Sequence, residues 1–421
     1  MVMDDILANY GCDHDRRSLD WEVVECRRDA VGCEPADKHI LDGISLCVLR
    51  GDDDPELYPD MSVRLTDDAF NQVGMMIDDD TADISGRHTS VSCSVCAVEG
   101  DAMVMRLAFR AHHVTGPLRA YYLVYDSGNA SLFMLPAQAP QFRSTGRSCP
   151  LPLRREDGGY TVALLGNRQC DGSAALCLWS LPPVPSDISQ NADMDQWVVK
   201  GSHHLNDRSF DAHMAFSCNG NAVWGDLTQG IMYCSYSDLL NGGDDSVNFE
   251  YMRLPEKHRI PYHQAMMMGE MRFHRNIGLV GNSIWFVSIT QSDGGTGDTM
   301  VEVWTLNLTQ PLSKEEKMEW ETLIVFRMQD IWELDTFDKK GLPKSLPMFP
   351  ILRQQDDGVL YVLLPNVSTG CEGYLVGMIG IDVGRSGGKR PQIVSSRYLA
   401  VPWMRRPVVM PLDFFGPRDM V

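Results

Sequence analysis

Four stretches of the chain repeat one hydrophobic plan. Each opens at a turn, enters an apolar run carrying an aromatic residue, and continues into two more runs of strand length. The first comprises 159–165 with Tyr160, 175–181 with Trp179 and 196–199 with Trp197. The second comprises 220–224 with Trp224, 230–234 and 247–251. The third comprises 281–287 with Trp285, 301–306 with Trp304 and 320–325 led by Trp320. The fourth comprises 357–364 with Tyr361, 373–379 and 391–394. The leading aromatics Tyr160, Trp224, Trp285 and Tyr361 lie 64, 61 and 76 residues apart. Apolar runs of this length between Gly, Asn and Asp turns read as strands. Helical periodicity is nearly absent, save a Ser-led acidic run at 313–319 and one or two turns over 328–337. One small sheet cannot bury both its faces, so a repeating sheet predicts a stack. A sandwich has no reason to repeat. The pattern therefore predicts an all-β, β-propeller-like fold of about six blades, with long loops at 182–195, 238–246 and 308–318. Further strand-like runs at 89–95, 102–107, 121–125 and 131–135 supply the additional blades.

A second agreement lies inside the units. Leu178-Trp179-Ser180-Leu181 and Val303-Trp304-Thr305-Leu306 share one pattern at one place, and Trp197 and Trp320 follow them 18 and 16 residues later. Strand alternation puts each Trp on the face of its second Leu. These blade aromatics are expected in the core, and Trp304→Ala is expected to cost about 3–5 kcal/mol as a fully buried truncation.

Charge changes the picture at one end. The chain carries a formal net charge of −20. Residues 1–83 hold 22 Asp or Glu against 7 Lys or Arg, which accounts for −15 and leaves −5 for the rest. This divides the chain into an irregular acidic N-terminal leader (1–85) with a few strands that contribute to the first or closing blade, a propeller domain (86–410) and a C-terminal tail (411–421). The leader's strand-like runs lie at 21–25, 44–49 and 61–65, between acidic turns at 52–55 and 78–80. No basic stripe exists to displace counterions from phosphates, so nucleic acid is not an expected partner. Nothing approaches 18 consecutive apolar residues, so no membrane helix is expected. The opening residues lack a basic and apolar leader, and the 12 cysteines are too few for a disulfide scaffold in so long a chain. A cytoplasmic or nuclear protein with reduced thiols is expected, in which the sequons at Asn129, Asn307 and Asn366 are chance matches.

Several segments resemble a known family. The segment 222–234, with Trp224, Asp226, Leu227, Gly230 and Ile231, resembles the recurrent Trp-x-Asp-Leu-x-x-Gly-Ile core of the plant family, expanded in grasses, called domain of unknown function 1618. Phe249 to Pro255 resembles the strand ending in Leu-Pro that follows that core. The segment 341–352 resembles the family's Pro-rich approach to its next strand, and 88–93 its N-terminal strand. The Trp-x-Leu pattern is also similar to the propeller-type domains that follow an F-box, although no F-box precedes it here. The resemblance spans about 86–410. It implies a fold and a plant origin but no reaction and no catalytic residue.

The usual chemical motifs do not assemble. Cys93 and Cys96 form a lone CxxC on a predicted strand, where residues three apart point to opposite faces, and no second pair completes a zinc site. His112, His113, His203 and His204 occur as adjacent pairs, each pointing both ways. The aspartates at 52–54 and 78–80 lack the order of a calcium loop. Gly384 to Lys389 departs from a phosphate loop and reads as a hairpin connection. No metal, cofactor or catalytic residue is expected. Met266, Met267, Met268 and Met271 cluster between two strands. Methionine suits adaptable contacts, so this loop is a candidate interaction surface, with packing into a gap between sheets as the alternative.

These readings converge on a non-enzymatic module that binds a protein partner. The alternative is a hydrolase or lyase acting on a small or sugar-like ligand in the central channel, which requires carboxylates that converge there. The acidic leader as a docking arm is a third reading.

Overall fold

The computed structural model describes residues 2–4, 21–49, 60–80, 89–111, 119–137, 142–143, 149–168, 174–183, 197–203, 210–240, 246–265, 270–291, 299–307, 319–354, 358–365, 374–384, 391–401 and 407–409. They fold into two compact units. One comprises 1–206, 237–248 and 408–421, and the other 207–236 and 249–407.

The second unit shows the repeat most plainly. It holds three four-stranded antiparallel sheets, each following chain order. The first runs through Met214–Cys218, Asn221–Asp226, Gly230–Ser235 and Glu250–Arg253. Next comes Arg275–Val280, Ser283–Gln291, Thr299–Asn307 and Glu321–Arg327. The last is Met348–Leu352, Val359–Pro365, Tyr374–Asp382 and Gln392–Val401. The three first strands lie side by side, as inner strands of neighbouring propeller blades do. Asn276 bridges two of them by donating to the Pro350 carbonyl at 2.7 Å.

The leading aromatics Trp224, Trp285 and Tyr361 all fall on second strands. The three-run unit read from the sequence is thus the last three strands of a four-stranded sheet, and its inner strand lies upstream. The turn before each aromatic strand is what makes the unit legible. Asn219 and Gly220 have φ of 47° and 74°, the left-handed pair of a two-residue hairpin, which Asn and Gly tolerate best.

One expected strand divides. Of the run 247–251, Ser246–Asn248 pairs in parallel with Val198–His203, whereas Glu250–Arg253 pairs with Gly230–Ser235. The two pieces belong to different units. Short helices at Met328–Trp332 and Asp335–Lys339 fill the region expected to hold one or two turns. The run at 313–319 lies outside the described residues.

The first unit is less regular. A five-stranded sheet has Arg27–Ala30 parallel to Ser131–Pro136, followed by Arg119–Asp126, Ala102–Ala111 and Thr89–Glu99. A six-stranded sheet contains Tyr160–Arg168, Ala174–Leu181 and Val198–His203, with Phe142–Arg143 and Leu151–Arg154 both pairing the first of these. Tyr160 again stands on the strand after the inner one. Glu22–Val23, Ile44–Leu49 and Asp60–Leu65 form a three-stranded sheet, and Val2–Asp4 pairs with Pro407–Val409.

The leader holds helices that its sequence did not announce. Pro35–Asp42 starts with a proline in its first turn, and Asp37 accepts from the Glu34 N–H at 3.0 Å to close the N-terminus. Asp67–Asp80 includes the aspartates at 78–80, which are therefore helical rather than a turn. Ile40, Leu41, Leu46, Val63 and Val73 are buried in the same core as Val91, Leu107, Leu123 and Met134. The described part of the leader is thus built into the neighbouring sheet's core. Cys93 and Cys96 face different apolar clusters, and a bulge between Val95 and Ala97 separates their registers.

Gly230 of the Trp-x-Asp-Leu-x-x-Gly-Ile segment illustrates how tightly these strands approach. A Cβ there would sit 2.2 Å from the Met252 carbonyl oxygen and 3.0 Å from the Arg253 Cα. Both are backbone atoms of a paired strand and cannot rotate away. Gly230→Ala is expected to destabilise by about 1–3 kcal/mol, as an overpacked site does. The urea midpoint of the purified variant checks this, and an unchanged midpoint would contradict the close approach.

Candidate functional site

A group of ionisable side chains gathers on one face of the 275–327 sheet. Register aligns Arg275, Ser288, Glu302 and Val325 directly across its four strands. The segment 254–260, which leaves Glu250–Arg253, crosses this face. It is pinned at both ends to the 226–230 turn. Leu254 N–H donates to the Gln229 carbonyl and Ile260 N–H to the Thr228 carbonyl, each at 2.9 Å. Its central 3₁₀ turn, Glu256–His258, presses His258 onto the sheet.

His258 is 2 % exposed. Its ring meets Phe286 and Trp304 edge-on, with centroids 5.2 and 5.7 Å apart. Nε2 lies 3.4 Å from a Glu302 carboxylate oxygen. The same oxygen is held by the Lys257 ammonium, which also covers the Trp304 ring at 5.1 Å. Burial lowers the pKa of His258, opposed by Glu302 and assisted by Arg275 and Lys257. For Glu302, burial acts to raise the pKa, but the hydrogen bond from Lys257 and the charges of His258 and Lys257 prevail and lower it.

Arg275 supports the arrangement from below. One of its terminal nitrogens donates to the carbonyls of Leu227 and His258, at 2.9 and 2.7 Å. Burial pushes its pKa down to about 10, while Asp226 favours its charge. Asp226 is 1 % exposed and caps its own turn. It accepts from the Thr228 N–H at 2.8 Å, the Thr228 hydroxyl at 2.6 Å and the Asp211 N–H at 3.2 Å. Burial is the largest influence on Asp226 and raises its pKa. The Asp in the motif thus shapes the turn that anchors 254–260.

Ser288, His258 and Glu302 are residue types of a hydrolytic triad, but their geometry serves packing. Ser288 has no exposure, and its hydroxyl makes no hydrogen bond. A nucleophile must touch its substrate, and no acyl group reaches this one.

A second repeated device joins neighbouring sheets. The Trp197 indole N–H donates to the Pro136 carbonyl, and the Trp320 indole N–H to the Arg253 carbonyl, both at 2.9 Å. Each Trp stands just before the fourth strand of its own sheet and bonds the last residue of a strand in the preceding sheet. The Trp recurrence read from the sequence therefore marks a sheet-to-sheet latch as well as core.

The other expected positions fall as follows. Tyr160, Trp179, Trp224, Trp285 and Tyr361 are buried. Trp197, Trp304 and Trp320 are half-buried, and the bulge between Val303 and Trp304 accounts for part of this departure at Trp304. Met271 is buried in the core that includes Val223, Ile277 and Phe286. Met266, Met267 and Met268 lie outside the described residues, as do His112, His113, His204 and the aspartates at 52–54. His203 ends the strand Val198–His203. Asp382 pairs with Gln392, and residues 385–389 of the Gly384 to Lys389 segment lie outside the described residues. Among the described residues no three His, Cys, Asp or Glu side chains are placed to hold a metal ion. No described helix is long and apolar enough to cross a membrane. Sequence reasoning missed Lys257, His258, Arg275 and Glu302, because they are scattered over 46 residues and only register brings them together.

Comparison with known proteins bears on the motif-bearing segment. Residues 224–361 match the model of the family described as "Protein of unknown function (DUF1618)". The match covers about a third of the chain. The match contains Trp224, Asp226, Gly230, the 254–260 crossing and all four side chains of the site. The family resemblance read from the sequence is therefore shown there. A search of curated proteins finds no match. Among solved structures, two levansucrase mutants of B. megaterium share 8 % and 10 % identity, with TM-scores of 0.32 and 0.30. The alignments cover 74 % and 72 % of this chain and 84 % and 83 % of those chains. A putative glycoside hydrolase from Bacteroides ovatus shares 12 % identity over 64 % of this chain and 81 % of its own, with a TM-score of 0.26. Likenesses this low carry no argument about activity, and the fold reading rests on the sheets themselves.

Proposed function

We propose that this chain is a non-enzymatic interaction module that engages a protein partner along the outer strands of its sheets. One observation carries the reading. All five exposed large apolar side chains among the described residues occupy strand positions paired on one side at most. Val23, Val325, Val394 and Tyr398 stand on edge strands. Val198 pairs with Leu178, while the Ser246–Asn248 strand covers only Gly201 to His203. Apolar groups gathered at such positions favour recognition, because sheet edges and the loops beside them vary over a rigid scaffold. Register shifts on two edge strands of the second unit, opposite Val303 and at Val394, twist those edges and discourage pairing with other strands. The partner in this reading docks on side chains rather than extending the sheet. The ionisable groups of the site support it too, since they bind backbone carbonyls and one another.

Affinity capture from native tissue, with the wild type beside a Val325→Ser, Val394→Ser double variant, tests the proposal. A partner held by the wild type and lost at least tenfold by the variant is expected, since two buried valines each contribute about 1–2 kcal/mol to an interface. No partner above controls, together with turnover of a small sugar-like molecule by the purified chain, would overturn it.

A further inference from the structure

We infer that residues 254–260 form a proton-sensitive strap, seated while His258 is neutral and lifted when His258 takes up a proton. The inference stands apart from the interaction reading and rests on how charges are distributed around the seat.

The strap is tied by backbone bonds at its ends and held in its middle by side-chain contacts and one bond to a side chain. Leu254 is fully buried and Ile260 is 7 % exposed, and both are bonded to the 226–230 turn. Between them, the short turn bonds His258 N–H to the Pro255 carbonyl and Arg259 N–H to the Glu256 carbonyl. Beyond those local bonds, four contacts hold the middle down: Lys257 on Glu302 and over the Trp304 ring, the His258 ring between Phe286 and Trp304, and Arg275 on the His258 carbonyl. The middle can therefore rise while its ends stay fixed.

Every charged group facing the imidazole is known. Glu302 faces it from the third strand, Arg275 from the first and Lys257 from the strap itself. Ser288 and Phe286, on the second strand, are neutral, and Asp226 stands behind Arg275. Glu302 is already engaged by Lys257. A proton on His258 would add a cation close to Lys257 and Arg275, both of which disfavour it, with the already engaged Glu302 as the one opposing charge. Burial points the same way, so the seated imidazole holds a proton less readily than a free one. The sign follows from linkage. The seated form is favoured fully above the pKa of the free imidazole and loses ground as the pH falls through about 6.5 towards the seated value. Lifting exposes His258 to water and uncovers Phe286 and Trp304.

Amide hydrogen exchange on the full chain tests this, with rates corrected for the intrinsic effect of pH. Between pH about 7.5 and about 5.5, exchange at His258 and Arg259 is expected to accelerate relative to the Val359–Pro365 strand, by at most about tenfold, the ratio of protonated to neutral free imidazole one pH unit below its ordinary value. His258→Phe keeps an aromatic wedge without a proton site and is expected to abolish the difference. Equal acceleration in that variant, or none in the wild type, would overturn the inference. Should the variant fail to fold, NMR titration of the His258 ring in the wild type decides. A midpoint below that of a free imidazole supports the strap, and one at or above it refutes it.

Discussion

Replacing Trp179 with alanine is expected to destabilise the protein by about 3–5 kcal/mol, the loss typical of a buried Trp truncated to Ala. Trp179 is 1 % exposed. It packs edge-on against Trp197 with centroids 5.1 Å apart, and Trp197 in turn meets Tyr122 at 6.4 Å and bonds Pro136. Removing the Trp179 ring therefore leaves a cavity and loosens the latch between two sheets. Trp304 occupies the matching place in the sequence pattern but not in burial. Its half-buried ring is covered by Lys257 and His258 from the strap rather than by a sheet. Trp304→Ala is accordingly expected to lose roughly half as much, in proportion to the area it removes from water. This corrects the full loss anticipated for it from the repeat alone. Urea unfolding of both variants decides the matter, with the midpoint falling further for Trp179→Ala at an unchanged slope. Equal losses would show that the two positions are packed alike.

Arg275→Met is expected to cost about 2–5 kcal/mol, the penalty for leaving two buried carbonyls without a donor. Methionine fills similar space but cannot donate to the Leu227 and His258 carbonyls, and it removes the positive charge that Asp226 favours. Burial already raises the pKa of Asp226. A group that holds its proton more readily when folded contributes stability below its unfolded pKa and loses it as the pH rises through the folded one. The loss in Arg275→Met should therefore be larger at neutral pH than in mild acid. It should also be smaller in an Asp226→Asn background, where no charge is stranded. A double-mutant cycle measured at two pH values checks both points. Identical losses in both backgrounds would show that Arg275 acts through the carbonyls alone.

The legible part of this fold is the part that neighbours in sequence determine. Asn219-Gly220 and Gly281-Asn282 announce hairpins, and the strands after them are continuously apolar because both faces are covered. The three-run units could therefore be read directly, as could Asp226 and Gly230 in their motif. The inner strands escaped notice. Met214–Cys218 and Arg275–Val280 mix polar with apolar residues, since each carries contacts to a neighbouring sheet. The leader's helices escaped because they are short and take their stability from a core supplied by residues 91–134 rather than from their own periodicity. The split of the 247–251 run was beyond reach for a similar reason. Both halves favour strand, and only the available sheet edges decide which one each half joins.

The sequence by itself determined that the chain builds small, repeated sheets, that aromatics recur at the head of each readable unit, and that one segment resembles the DUF1618 motif. Turn chemistry and strand patterning act over a few residues, so these features survive without coordinates. Tertiary structure alone decided that Arg275, Ser288 and Glu302 share one row, that His258 is pressed onto them by a strap, and that equivalent tryptophans differ in burial. Those outcomes depend on strand register and on a segment crossing from one sheet to the next. Register is set by the cooperative packing of residues far apart in the chain, and no local spacing encodes it.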